Sequence, residues 1–359
     1  MAGMRELLEE MVAKGASDLH LTAGLPPQFR IDGNVATSEF PVLTGEETLR
    51  LAYSILNEEQ KKRYEKEKEL DLSFGVQGIS RFRANVFQQR GVTSMAIRQI
   101  PYEILTFEEL GLPPVVRQLI NRTQGLILVT GPTGSGKSTT LATMVDTLNT
   151  TRKGHIITIE DPIEFVHHHK NCIVNQREVN SDTHSFGAAL KYVLRQDPDV
   201  ILIGEMRDRE TISAALTIAE TGHLALATLH TNSTFESINR IIDVFPPEQQ
   251  NQVRSQLSFS LAGVITQQLI PRQRGGGRQL ALEIMICTPA IKAMIRDDKV
   301  HQIYGLMQAG QKFGMQTMNQ SLYQGVVNKW ISVEQAIGRS SDPAELQQMI
   351  GDPVGGRRA

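Results

Sequence analysis

Cysteine is scarce in this chain: 359 residues include two, Cys172 and Cys287, and they form no C-x-x-C pair. That excludes a disulfide framework and a cysteine-built zinc site, and it fits a reducing cytoplasm. Long apolar runs are missing as well. No stretch approaches the roughly 20 residues that span a bilayer, and Glu6, Glu9 and Glu10 stand where a signal peptide would be basic and then apolar. Membrane contact is therefore expected only through partners. An excess of one charge is also lacking, since Lys+Arg 37 against Asp+Glu 39 leaves a formal −2. Nothing in that balance calls for nucleic acid or anionic lipid.

The length is too great for one ordinary domain and implies about two, each with its own core. Up to about residue 100, short strands mix with helices. Asp18–Leu21 and Gln28–Ile31 read as strands, with Gly33-Asn34 as a turn, and Arg81–Phe87 alternates with period two. Glu58 to Glu69 is dense in Lys and Glu, as a solvated helix face is. Pro101 and the Gly111–Pro114 segment mark a linker. Beyond it, apolar runs at 126–130, 156–159, 200–203, 224–229 and 281–286 alternate with helical segments. That alternation predicts a mostly parallel, doubly wound α/β sheet.

What is present in force is a phosphate loop. Gly131 to Ser138 reads Gly-Pro-Thr-Gly-Ser-Gly-Lys-Ser, a complete G-x-x-x-x-G-K-[ST] between the apolar run Leu126–Val129 and a helical pattern from Thr139. Its glycines let backbone N–H groups converge on phosphate oxygens at a helix N-terminus. Lys137 supplies a point charge for the β- and γ-phosphates, and the Ser138 hydroxyl is a ligand for Mg²⁺. The nucleotide-binding set is Thr133, Gly134, Ser135, Gly136, Lys137, Ser138 and Thr139.

Three further stretches surround this loop. Ile156–Ile159 is followed by Glu160, Asp161 and Glu164, carboxylates at the strand edge where open sheets place ligands. Glu164 is assigned to polarise the attacking water, with Glu160 and Asp161 as weaker candidates for Mg²⁺ or its waters. A turn with acidic caps is the plainer alternative. Val200–Ile203 ends in Gly204-Glu205, and Glu205 is assigned to support Mg²⁺ through water, Gly204 standing where an aspartate is usual. An apolar strand is bracketed by His223 and His230. His230 is assigned as a donor to the γ-phosphate, while His223 is divided between that kind of role and a structural one. His167–His169 near Cys172 fits no metal signature. The apolar positions Ala290, Ile291, Met294 and Ile295 share one helical face, for which core packing is the default.

Together the phosphate loop, the Ile159–Glu164 acidic box, the Gly204-Glu205 strand end and the Gly222–Thr231 histidine box resemble the secretion-superfamily ATPases. Within them the resemblance is to the type IV pilus retraction ATPases of the PilT type, and it runs from Gly15 to Lys299. It implies a PAS-like α+β N-terminal domain (1–100), a linker (101–115) and a RecA-like P-loop NTPase core with a helical C-terminal region (116–350). The Gly- and charge-rich tail (351–359) is expected to be disordered. It also implies a homohexamer that binds ATP and Mg²⁺ between the two domains and powers retraction by domain closure. Glu164 would be the catalytic base, Glu205 the Mg²⁺ support, and Arg83 and Arg98, from the cluster with Arg81 and Arg90, the nucleotide-contacting arginines. An inner-membrane pilus platform protein is the implied partner, and a cytoplasmic place at that membrane the implied location. Ala290–Lys299 resembles the A-I-R-N-L-I-R-E element of the family, with Lys292 and Ala293 replacing its Arg-Asn. Assembly ATPases are similar in the nucleotide boxes but carry a longer N-terminal extension and a four-cysteine zinc insertion, neither of which is seen here. The alternatives are a pilus-assembly or type II secretion motor, a nucleic-acid translocase, and a non-hydrolysing scaffold.

Overall fold

The computed structural model describes residues 3–31, 33–100 and 104–351. The chain divides into two compact units, 1–103 with 164–166, and 104–163 with 167–359. The first runs α1 (Met4–Ala13), β1 (Asp18–Leu21), β2 (Gln28–Ile31), β3 (Asn34–Thr37), α2 (Gly45–Tyr53), α3 (Glu58–Glu67), β4 (Glu69–Val76), β5 (Ser80–Gln89) and β6 (Val92–Ile100). Its sheet has the order β3-β2-β1-β6-β5-β4, every pairing antiparallel. One face is apolar. Phe82, Ala84 and Val86 of β5 pack with Met95 and Ile97 of β6 and with Leu7, Leu8 and Met11 of α1, because period-two alternation sends those side chains to one side. Helix α3 buries only Tyr64, as its charge density predicts, and is closed by a capping box of Asn57 and Gln60.

The second unit begins with α4 (Phe107–Leu110), α5 (Pro114–Ile120), β7 (Gly125–Thr130), α6 (Lys137–Thr151), β8 (Gly154–Glu160), β9 (Cys172–Glu178), α7 (Phe186–Val193) and β10 (Val200–Ile203). It continues with α8 (Arg209–Glu220), β11 (Leu224–Leu229), α9 (Thr234–Asp243), α10 (Pro247–Ser260), β12 (Leu261–Pro271), β13 (Arg278–Ile286) and α11 (Pro289–Arg296). The helices α12 (Ile303–Ala309), α13 (Met318–Val327), α14 (Val333–Ile337) and α15 (Pro343–Gly351) complete it. The seven-stranded sheet is ordered β13-β12-β7-β11-β10-β8-β9, parallel except for β12–β13. Strands β7, β10 and β11 are buried at every position. They sit mid-sheet with helices on both faces, so both sides of each strand must be apolar. Alternate residues feed two cores: Leu126 and Leu128 one side, Ile127 and Val129 the other.

Of the expected linker, 101–103 lie outside the described residues. From Thr106 the chain forms a capped turn of helix whose Phe107 enters the core of the second unit. The expected disordered tail likewise lies outside the described residues apart from Gly351, which ends α15. No described helix is long and apolar enough to cross a membrane.

Candidate functional site

The carboxyl ends of four adjacent parallel strands bring the predicted chemistry to one edge. Thr130 of β7 is in register with Leu229 of β11, Ile203 of β10 with Ala227 of β11, and Ile159 of β8 with Ile203. The phosphate loop, His230, Gly204-Glu205 and Glu160 therefore all leave the sheet on the same side, the side where open α/β sheets bind ligands.

The loop itself depends on glycine. Gly131, Gly134 and Gly136 have φ of +141°, +78° and +87°, values that L side chains rarely adopt. At Gly131 a Cβ would also sit 2.3 Å from the Gln267 carbonyl. Lys137 is buried at 8% exposure and donates through Nζ to the carbonyls of Gly131 (2.9 Å) and Pro132 (3.1 Å), so its charge is folded back over the loop. No side chain caps α6, whose Ncap is Gly136. Its first N–H groups are thus left for an anion, and the helix dipole favours one there. The half-buried Ser138 hydroxyl opens the same helix. Beside the loop lies a groove of about 590 Å³, bordered by Thr139, Thr140, Leu105, Leu269, Leu280 and Trp330 among others. Its lining mixes these apolar side chains with Glu108, Glu109, Arg272 and Arg278, and Leu269, Leu280 and Trp330 offer a planar base apolar contact.

Glu205 is the electrostatic centre of the edge. Its Oε2 lies 2.7 Å from Arg207 and its Oε1 3.3 Å from His230 Nε2. Burial alone would raise its pKa, but the Arg207 hydrogen bond and the charges of His230 and Arg207 hold it below the usual carboxylate value. Space is tight at Gly204: a Cβ there would lie 3.1 Å from the Ile159 carbonyl and 3.2 Å from Glu160 Cα, so a larger residue would need the backbone of β8 to give by a few tenths of an ångström. Glu160 accepts from Thr158 (2.6 Å) and Gln176 (3.1 Å), which ties its carboxylate to β8 and β9.

The other assigned residues belong to the first unit or to other parts of the second. Glu164 is exposed and groups with the first unit. Arg83 and Arg98 are register partners on β5 and β6. Arg98 Nε donates to Asp18 (2.8 Å), which offsets the repulsion of two like charges placed opposite one another. Exposed Arg83 has no ionic or hydrogen-bonding partner among the described residues. His223 sits at the opposite edge of the sheet, where its carbonyl accepts from Gly125 and its ring contacts Thr221. That placement favours the structural reading. His167 is buried, which drives its pKa down to about 4, while His168 and His169 are exposed. Among the described residues no cluster of three metal-ligating groups occurs.

Sequence reasoning missed three groups here. Arg207 was legible as the basic residue two positions beyond Glu205. Gln267, buried in β12, donates to the Ser135 carbonyl at 2.7 Å, and Thr266 shares a 2.7 Å hydroxyl contact with Thr130 at the loop's entrance. Polar residues in the otherwise apolar run Val264–Ile270 were the available signal.

The family described as Type II/IV secretion system protein matches residues 2–338. The chain belongs to that family. Among members of this secretion family, it is 53% identical to the type IV pilus retractation ATPase PilT of Pseudomonas aeruginosa over 338 residues, 94% of this chain and 98% of that protein. It is 43% identical to the type IV pilus ATPase PilU of the same organism over 345 residues, 96% of this chain and 90% of that one. A crystal structure of the pilus retraction motor PilT with bound ADP superimposes with a TM-score of 0.92 at 53% identity, covering 97% of this chain and 100% of that one. The two sheets with their helices and the match to this structure bear out the α/β class expected from the resemblance, an N-terminal β domain followed by an ATPase core.

Proposed function

We infer that this chain hydrolyses ATP as the motor of type IV pilus retraction. The observation that carries the reading is the intact phosphate loop at the same sheet edge as Glu205 and His230, in a chain alike to PilT over nearly its whole length. In this reading the loop amides of 133–139 and Lys137 hold the β- and γ-phosphates, and the groove beside Thr139 takes the base. Ser138 and, through water, Glu205 would hold Mg²⁺, which when bound neutralises charge on the phosphate oxygens. His230 donates to the γ-phosphate, with Glu205 orienting its ring. Glu164 takes the proton of the attacking water. Arg83 and Arg98 are nucleotide contacts by family motif, and the guanidinium of Arg83, which has no partner among the described residues, supports that assignment best. The working assembly is a homohexamer in the cytoplasm, held at the inner membrane by a pilus platform protein.

The test is Glu164→Gln at the native locus, with surface pili counted and surface motility scored. Excess pili with lost motility is the expected result. Bald cells would mean an assembly motor, and unchanged pili would point to secretion or nucleic-acid translocation.

A further inference from the structure

Glu283 lies inside β13, between apolar neighbours Leu282 and Ile284, and is 3% exposed. A carboxylate so placed is costly unless well hydrogen-bonded, and an aliphatic side chain would fill the space at less expense. Its partners are two helix starts. Glu283 Oε1 accepts from Thr234 N at 2.7 Å and Oε2 from Met318 N at 3.4 Å, the first residues of α9 and α13. Ser233 and Thr317 cap those helices by accepting from the third-position amides of Glu236 and Gln320. The carboxylate thus takes the first-position donors that the caps leave over, at two positive helix ends.

Register places this group with the nucleotide edge. Glu283 is opposite Thr266, Thr266 is beside Thr130, and Thr130 is beside Leu229. One row across the sheet therefore holds Glu283, the residue before the phosphate loop and the residue before His230. From His230 only three residues lead to Thr234. They are pinned to α9 by the 2.6 Å contact of Thr231 with Ser237 and by the Asn232 amide donating to Glu236 at 2.8 Å. Where α9 starts decides where His230 stands, and Glu283 is what α9 starts on.

We propose that Glu283 is a positioning residue for hydrolysis, which fixes the His230 segment through the first amide of α9 and ties it to the C-terminal helices through α13. The inference rests on the reading of His230 as a γ-phosphate donor. Steady-state ATP hydrolysis by the full-length protein tests it, using E283Q, H230A and the double variant, with thermal unfolding followed in parallel. A group displaced by about 1 Å costs on the order of 100-fold in rate, so E283Q should lower kcat about 10- to 100-fold and leave KM for ATP little changed. In the double variant the losses should not multiply, because Glu283 acts through His230. T234P gives a second route: it deletes the amide donor at a helix position where proline is tolerated, after an extended Ser233 (φ −148°, ψ 161°). It should repeat the loss in kcat. Multiplying losses, an unchanged kcat in folded E283Q and T234P, or an effect on KM alone would overturn the proposal. Normal turnover by H230A would instead sink the reading of His230, and the route from Glu283 with it.

Discussion

The glycines of the phosphate loop are not equivalent, because two different constraints act on them. Gly134 needs only its positive φ and has open space around it, whereas Gly131 combines φ +141° with a carbonyl 2.3 Å from any added Cβ. Gly134→Ala should therefore cost about 1–2 kcal/mol of local strain and retain measurable ATP binding. Gly131→Ala should abolish it, as titration of both variants with labelled ATP will show. Glu205 makes a second prediction. Its folded pKa lies below the ordinary 4.5, so the stability it contributes is fully present above that value and is lost as pH falls through the lower folded pKa. Denaturant melts of the protein and of Glu205→Gln should differ near neutrality and converge in acid. A gap that persisted in acid would show that the stabilisation does not depend on the carboxylate charge. These residues were largely legible, since Lys137, Ser138, Glu205 and His230 follow strand ends that the apolar runs mark. Arg207 and Gln267 carry weaker signals, a basic residue two positions beyond Glu205 and a polar residue in an apolar run, and neither signal names the partner, which for Gln267 is the Ser135 carbonyl 132 positions away.

At the scale of elements, legibility followed the regularity of the hydrophobic pattern. Fully apolar β7, β10 and β11 announce themselves, as does the alternation of β5. Strands β9 and β12 do not. β9 alternates buried Cys172 and Val174 with exposed Ile173 and Asn175 before a polar end, and β12 follows α10 directly at Leu261, its register shifting between Leu261 and Gly263. Helix α11 shows how a stripe divides its work. Ile291 and Ile295 are fully buried, Met294 is half-buried and Ala290 is exposed, and the helix stops at Asp297 before Asp298 turns left-handed (φ +57°). Ile295→Ala should cost about 2–5 kcal/mol in an unfolding titration, as core truncations do. Exposed Arg296→Ala should cost under about 0.5 kcal/mol and leave ATP hydrolysis intact while impairing pilus retraction in cells, if this element serves the step beyond hydrolysis. Loss of hydrolysis in the purified Arg296 variant would refute that division.

For the whole molecule, the proposed ring makes its own demand: light scattering with ATP and Mg²⁺ should give a mass six times that of the chain. A mass that stayed monomeric would remove the ring from the mechanism. The sequence by itself determined that a nucleotide is bound, because the phosphate loop is contiguous and its physics is local: glycine dihedrals, an uncapped helix start and one lysine. It determined the parallel sheet as well, since central strands covered on both faces must be apolar throughout. Only the tertiary structure decided which distant polar residues meet. Strand register alone set Glu283 in the row of the phosphate loop and of the histidine segment, and the close approach of β10 to β8 put Gly204 within 3.1 to 3.2 Å of backbone atoms of β8 for any added Cβ. Such contacts join residues tens to more than a hundred positions apart, and their reason is packing geometry, which no local pattern records.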